Sequence, residues 1–171
     1  MIESSLSTTA QTDTVEVPDY LVRETIDGIP FYYRGYRAVM SQQKAWENIK
    51  SSSGLQSYLS ARVAEFLLTN MDGNQYQLLI QKVSLQFSEQ SHLILDFAVY
   101  QIEQLRGHLN AKPLSVPPIV GFEIDTKVES EHIQDQEYVH LKTQKLLDFG
   151  VQQVVWIFTT SKKVMIAEVG K

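Results

Sequence analysis

Cysteine is absent from the chain. That excludes disulfide bridges and thiolate-bound metal sites. Basic charge is also scarce, with 15 Lys and Arg against 20 Asp and Glu, for a net charge of −5 at pH 7. Proteins that neutralise phosphates usually carry a basic patch. None is visible in the linear order, so contact with DNA requires basic residues gathered by the fold or a basic partner. Long apolar runs are missing as well. The longest, 154–158, falls far short of the roughly 20 residues of a membrane span and reads as a buried strand. The opening stretch MIESSLSTTAQTDTVEVP has neither the basic start nor the apolar centre of a secretory signal. With no cysteine and no such signal, the expected location is the cytoplasm, with no membrane partner. Several catalytic signatures are lacking too: no G-x-S-x-G elbow, no P-loop and no G-x-G-x-x-G. His92, His108, His132 and His140 show no metal-ligand spacing.

What is present fits one α/β (α+β) domain. The 171 residues and a hydrophobic fraction of 43% suffice for a single packed core. Residues 1–17 are rich in Ser, Thr and Gln and are expected to form a mobile arm ahead of a domain spanning 18–171. Residues 20–25 and 29–33 around Asp27-Gly28 predict an N-terminal hairpin. A weaker helical stretch covers 35–50, with Tyr36, Met40, Trp46 and Ile49 as anchors. The clearest amphipathic helix is 55–70, with Leu55, Tyr58, Leu59, Val63, Phe66 and Leu67 on one arc and Ser51 to Ser53 as candidate caps. Three strands are expected at 76–80, 83–87 and 93–99, and a helical turn within 102–110. A strand over 119–125 precedes an acidic loop and a helix over 137–149 closed by Gly150. Strands at 151–159 and 164–168 complete a mixed sheet flanked by helices.

Two features break the apolar pattern. Leu93, Leu95, Phe97 and Val99 alternate on one strand face, leaving Asp96 on the other between Ile94 and Ala98. A carboxylate there is costly to bury without a partner. On the next strand Glu123, Asp125 and Lys127 share a face if the strand runs that far. The second feature lies on the 137–149 helix. Tyr138, Leu141, Leu146 and Phe149 make its apolar arc, and Lys142 falls near the centre of that arc. Such a lysine either snorkels to water or reaches a buried carboxylate, and the Glu123 strand immediately precedes it. Arg62 and Gln56 occupy comparable but weaker positions on the first long helix.

An Asp, a Glu and a lysine (Lys142 or Lys127) are a minimal set for metal-assisted phosphodiester hydrolysis. Carboxylate oxygens hold a hard cation such as Mg²⁺. The cation polarises the phosphate and lowers the pKa of water, and a neighbouring lysine stabilises developing charge.

The same residues carry a family resemblance. Pro117-Pro118-Ile119-Val120-Gly121-Phe122-Glu123-Ile124 is similar to the acidic strand of the Uma-two family of restriction-endonuclease-like proteins, which have the PD-(D/E)XK fold. Lys142 through Val151 resembles that family's lysine-bearing helix running into Gly-Val, and Leu95-Asp96-Phe97-Ala98-Val99 its earlier acidic strand. Ser53-Gly54-Leu55-Gln56 resembles the start of its first core helix. The likeness covers about 20–169 and departs at Leu95, where the family has proline, and at Asp125, where the motif has lysine. It implies a restriction-endonuclease-like mixed sheet, Asp96 and Glu123 as metal-binding catalytic acids, Asp125 as a further ligand, and Lys142 as the catalytic lysine with Lys127 as substitute. It further implies Gln56 as a helper residue, Mg²⁺ as cofactor, DNA as partner and a homodimer. The alternative is an inactive member of that fold used as a binding or dimerisation module.

Overall fold

A computed structural model describes residues 15–170. The first fourteen residues of the expected arm lie outside them. A 3-10 turn at Asp19–Leu21 leads into the hairpin of β1 (Val22–Ile26) and β2 (Ile29–Tyr33). Asp27 and Gly28 turn it with φ of 51° and 79°, the paired positive angles that Asp-Gly tolerates in a two-residue turn. The expected helix over 35–50 is two short ones, α1 (Tyr36–Met40) and α2 (Trp46–Lys50). Gln42, at φ 59°, interrupts them.

Next comes α3 (Gly54–Asn70). Ser53 and Gln56 start it with a reciprocal capping box: the Ser53 hydroxyl accepts from the Gln56 N–H and the Gln56 carbonyl oxygen accepts from the Ser53 N–H. Ser53→Ala is expected to cost about 1 kcal/mol, read as a lower urea midpoint at unchanged slope. An unmoved midpoint would show the cap to be idle.

The expected strands at 76–80 and 83–87 are one strand, β3 (Tyr76–Ser88), broken by a bulge at Gln81 and Lys82. Both bulge residues have positive φ, 68° and 61°. After it come β4 (Ser91–Gln101), the turn α4 (Ile102–Leu105), β5 (Val120–Ile124), β6 (Val128–Glu129), α5 (Asp135–Phe149), β7 (Gln153–Phe158) and β8 (Lys163–Glu168). Gly150 closes α5 at φ 114°.

The strands form one mixed eight-stranded sheet in the order β6-β2-β1-β4-β5-β7-β8, with β3 added on β4. β3 occupies one edge of β4 from Ser91 to Gln101. The other edge is therefore shared. β1 meets it at His92, and β5 meets it only at Phe97 to Val99. Between them, residues 93–96 face the mouth of a fork where β1 and β5 diverge.

The two helices cover opposite faces. Tyr138, Val139 and Leu146 of α5 pack with Leu93, Leu95, Ala98, Val154 and Trp156. Leu59, Val63 and Leu67 of α3 pack with Phe97, Val99, Phe122 and Ile124. This corrects the simple alternation expected on β4. Leu93 and Leu95 point to the α5 side, Phe97 and Val99 to the α3 side, so the strand exchanges faces at Asp96. The arc of α3 is also only partly covered: Leu55, Tyr58 and Phe66 remain exposed. Among the described residues, no helix is long and apolar enough to cross a membrane.

Candidate active site

The fork in the sheet leaves backbone groups of β4 and β5 without strand partners, and side chains supply them. Glu24 Oε1 accepts from Ile94 N at 2.9 Å. Lys142 Nζ donates to Ile94 O at 2.7 Å. Asp96 Oδ2 accepts from Ile124 N at 2.8 Å. The polar residues of the fork thus complete the sheet as well as lining its opening.

Lys142 is 1% exposed. Its ammonium reaches Glu123 Oε1 at 2.5 Å and Glu24 Oε1 at 2.6 Å, so with Ile94 O all three protons are used. Tyr138, one turn earlier on α5, donates its hydroxyl proton to Glu24 Oε2. Burial works against charge in this cluster, and partners decide each outcome. Despite complete burial, Lys142 and Arg23 hold Glu24 below the usual carboxylate range. Burial, then the negative Asp96 and Glu24, push Glu123 up to about 7 against the pull of Lys142. The two glutamates outweigh burial at Lys142 and keep its pKa raised.

Asp96 stands one step nearer to solvent, on the α3 side. It forms an ion pair with Lys127, with side chains 15% and 19% exposed respectively. Both line a groove of about 1000 Å³ between the sheet, α2 and the start of α3. Strand β5 ends at Ile124, and Asp125 adopts φ 58°. The shared face expected for Glu123, Asp125 and Lys127 is therefore not formed. Asp125 accepts from Thr159 N at 2.7 Å, from the Thr159 hydroxyl at 2.6 Å and from Gln56 Nε2 at 3.2 Å. Gln56 thus ties the α3 cap to this turn and also lines the groove. Arg62, the weaker candidate, makes an exposed pair with Glu65.

The structure brings Asp96 and Lys127 together in the groove and Glu123 and Lys142 together beneath it. Asp96 is also an electrostatic neighbour of Glu123. Sequence reasoning missed Glu24. Its signal was available: a lysine at the centre of an apolar arc needs a buried acid, and the Arg23-Glu24 pair lies inside a strand bounded by Val22 and Ile26. It also missed the groove's charge. Arg23, Arg34, Lys44, Lys50, Lys82 and Lys127 line it, six of the chain's fifteen Lys and Arg, against one acid, Asp96. The acidic surface expected from net charge is thus interrupted at the site.

Oxygen donors suited to a hard cation are present in small number. Asp96 Oδ1 and Glu123 Oε2 accept no hydrogen bond from the described residues. No group of three or more His, Asp and Glu side chains converges as a metal cage among the described residues. Two carboxylates alone are not a cage; a hard cation there would draw most of its ligands from water and substrate oxygens, the usual manner of Mg²⁺.

A mixed sheet with helices on both faces, arranged in this order, is a nuclease-like α+β fold. The same fold is found in the crystal structure of a candidate nuclease belonging to DUF820 from Anabaena variabilis ATCC 29413. The two align with a TM-score of 0.64 at 14% identity, over 86% of this chain and 72% of that one. No family model matches the chain, and no curated protein matches its sequence.

Proposed function

We propose that this chain is an Uma-two-type, metal-dependent DNA endonuclease of the cytoplasm. The observation that carries the reading is the position of Asp96: the one acid in a groove lined by six cations, directly beside the buried Glu123–Lys142–Glu24 cluster. An anionic polymer is drawn to such a groove, and its backbone would come to rest against a carboxylate suited to Mg²⁺.

Asp96 Oδ1 and Glu123 Oε2 would hold the ion, which when bound would polarise the phosphate and lower the pKa of water. The chain's own groups prepare these oxygens. Lys127 and the Ile124 N–H fix one Asp96 oxygen and leave the other free. Lys142 does the same for Glu123. With three acceptors already bound, Lys142 acts through Glu123 and is a positioning residue. Lys127, open to the groove, is the lysine placed to meet a phosphate. Asp125 holds the turn after β5 through Thr159 and Gln56. A homodimer, also implied by the family resemblance, would bury the apolar surface that Phe66, Val164 and Ile166 leave exposed.

The test is nicking of supercoiled plasmid with Mg²⁺ or Mn²⁺. Asp96→Asn keeps the shape of the side chain and is expected to slow nicking at least about tenfold, with a modest fall in melting temperature because Lys127 loses its carboxylate. A wild-type protein that neither takes up the cation nor nicks DNA overturns the endonuclease reading. If that protein still binds DNA, the inactive binding module stands in its place.

A further inference from the structure

Arg23 is the residue of the site whose bonding is least complete. Strand alternation sends Glu24 to the α5 side and Arg23 to the α3 side, where it lines the groove. It is 5% exposed. Its guanidinium carries five N–H donors, and none finds an acceptor among the described residues. Glu24, Glu123 and Asp96 balance its charge electrostatically without accepting from it. No fully buried side-chain nitrogen or oxygen lacks a hydrogen-bond partner among the described residues. The guanidinium nitrogens therefore open onto the groove. A nearly buried arginine with donors left over holds them ready for water or for a ligand that enters the groove.

A second cation shares this place. The bulge of β3 sets Gln81 and Lys82 opposite Asp96, because Val83 pairs with Leu95 and Ile80 with Phe97. Two consecutive residues in the left-handed region cost on the order of 1 kcal/mol each. Strain of that kind, next to a candidate catalytic acid, aims a side chain. Lys82 enters the groove with no hydrogen bond or carboxylate partner among the described residues. Both cations lie over the Tyr33 ring, Arg23 at 5.4 Å and Lys82 at 5.8 Å from its centre. Burial and the nearby Arg23, Lys50 and Lys127 lower the Lys82 pKa, as expected where cations crowd around space for an anion.

We infer that Arg23 and Lys82 form a phosphate-binding subsite beside Asp96. The fork of arginine matches phosphate oxygens bidentately. Further cations along the groove suit a chain of phosphates better than a lone carboxylate, so the ligand is a nucleic-acid backbone phosphate next to the one held at Asp96. That last assignment rests on the nuclease reading.

Two measurements separate the claims. The first is the melting temperature in inorganic phosphate against chloride at equal ionic strength. Phosphate is expected to raise it for wild type and not for Arg23→Met. The second is anisotropy of a short fluorescent duplex across a salt series without divalent metal. Arg23→Met and Lys82→Met are each expected to weaken binding about tenfold and to lower the log–log salt slope by about one. Arg23→Lys should keep the slope and lose affinity, because charge remains and the fork does not. Lys82, on an exposed bulge, keeps the test open if Arg23→Met fails to fold. Duplex binding and slope unchanged in Lys82→Met and in a folded Arg23 variant overturn the subsite. Phosphate stabilisation that requires Arg23, in a protein that ignores the duplex, supports the subsite and removes the nucleic-acid reading.

Discussion

Replacing Lys142 with Met is expected to destabilise the protein by about 3–5 kcal/mol, the cost of removing one partner from a buried ion pair. Methionine fills much of the volume, so the loss is electrostatic and not a cavity. Glu24 and Glu123 would be left buried with no ammonium between them, and Ile94 O would lose its donor. Domains of this size hold only about 5–15 kcal/mol in total, so the variant should melt far below wild type. Neutralising both acids as well, in Lys142→Met with Glu24→Gln and Glu123→Gln, should recover a large part of the loss, since neither amide then needs a counter-charge. Urea unfolding of the single and triple variants measures both effects. A Lys142→Met midpoint equal to that of wild type would sink the account of the cluster.

The second large effect is on pH dependence, through Glu123. Its ordinary carboxyl pKa of 4.5 rises to about 7 in the fold. Between those values the folded protein holds a proton that the unfolded chain has released. Stability from this group is therefore lost as pH rises through that window, by up to about 3 kcal/mol. Glu24 has the opposite sign. Its pKa is depressed in the fold, so its contribution is present above the unfolded value and disappears as pH falls through the folded one. Metal-free protein should be most stable near pH 5. Glu123→Gln should flatten the decline toward pH 8 and leave the acid limb in place. Parallel curves for the two proteins over pH 5–8 would remove the shifted carboxyl from the explanation.

Local chemistry wrote much of the fold plainly into the sequence. Asp27-Gly28 forms the hairpin turn, Ser53 with Gln56 caps the long helix, and Gly150 ends α5. The place of Lys142 on the apolar arc was legible from helical periodicity, which left open whether its ammonium snorkels to water or is buried; the fold buries it against Glu24 and Glu123. Features that depend on strand pairing were not. The Gln81–Lys82 break reads as a gap between two strands, and only the β4 partner shows it to be a bulge. The face exchange at Asp96 is invisible to a period of two, because it arises from the fork and not from the strand's own residues. Six cations scattered from Arg23 to Lys127 are diluted by an acidic composition until the fold collects them. Glu24 is buried beside Arg23 on a hairpin strand, and only the demand of Lys142 for a buried acid, made 118 positions away, points to it.

The fork has a further consequence in time. Glu24 and Lys142 meet across 118 positions of chain, and Asp96 and Lys127 across 31. A polypeptide leaves the ribosome N-terminus first, so the hairpin and the acidic strand emerge well before the helix that supplies the ammonium. Until that helix docks, Glu24 and Glu123 cannot both be buried at acceptable cost, and the groove above them has no settled floor. A chain in which that helix has not yet docked therefore lacks the ion-pair network that closes the fork.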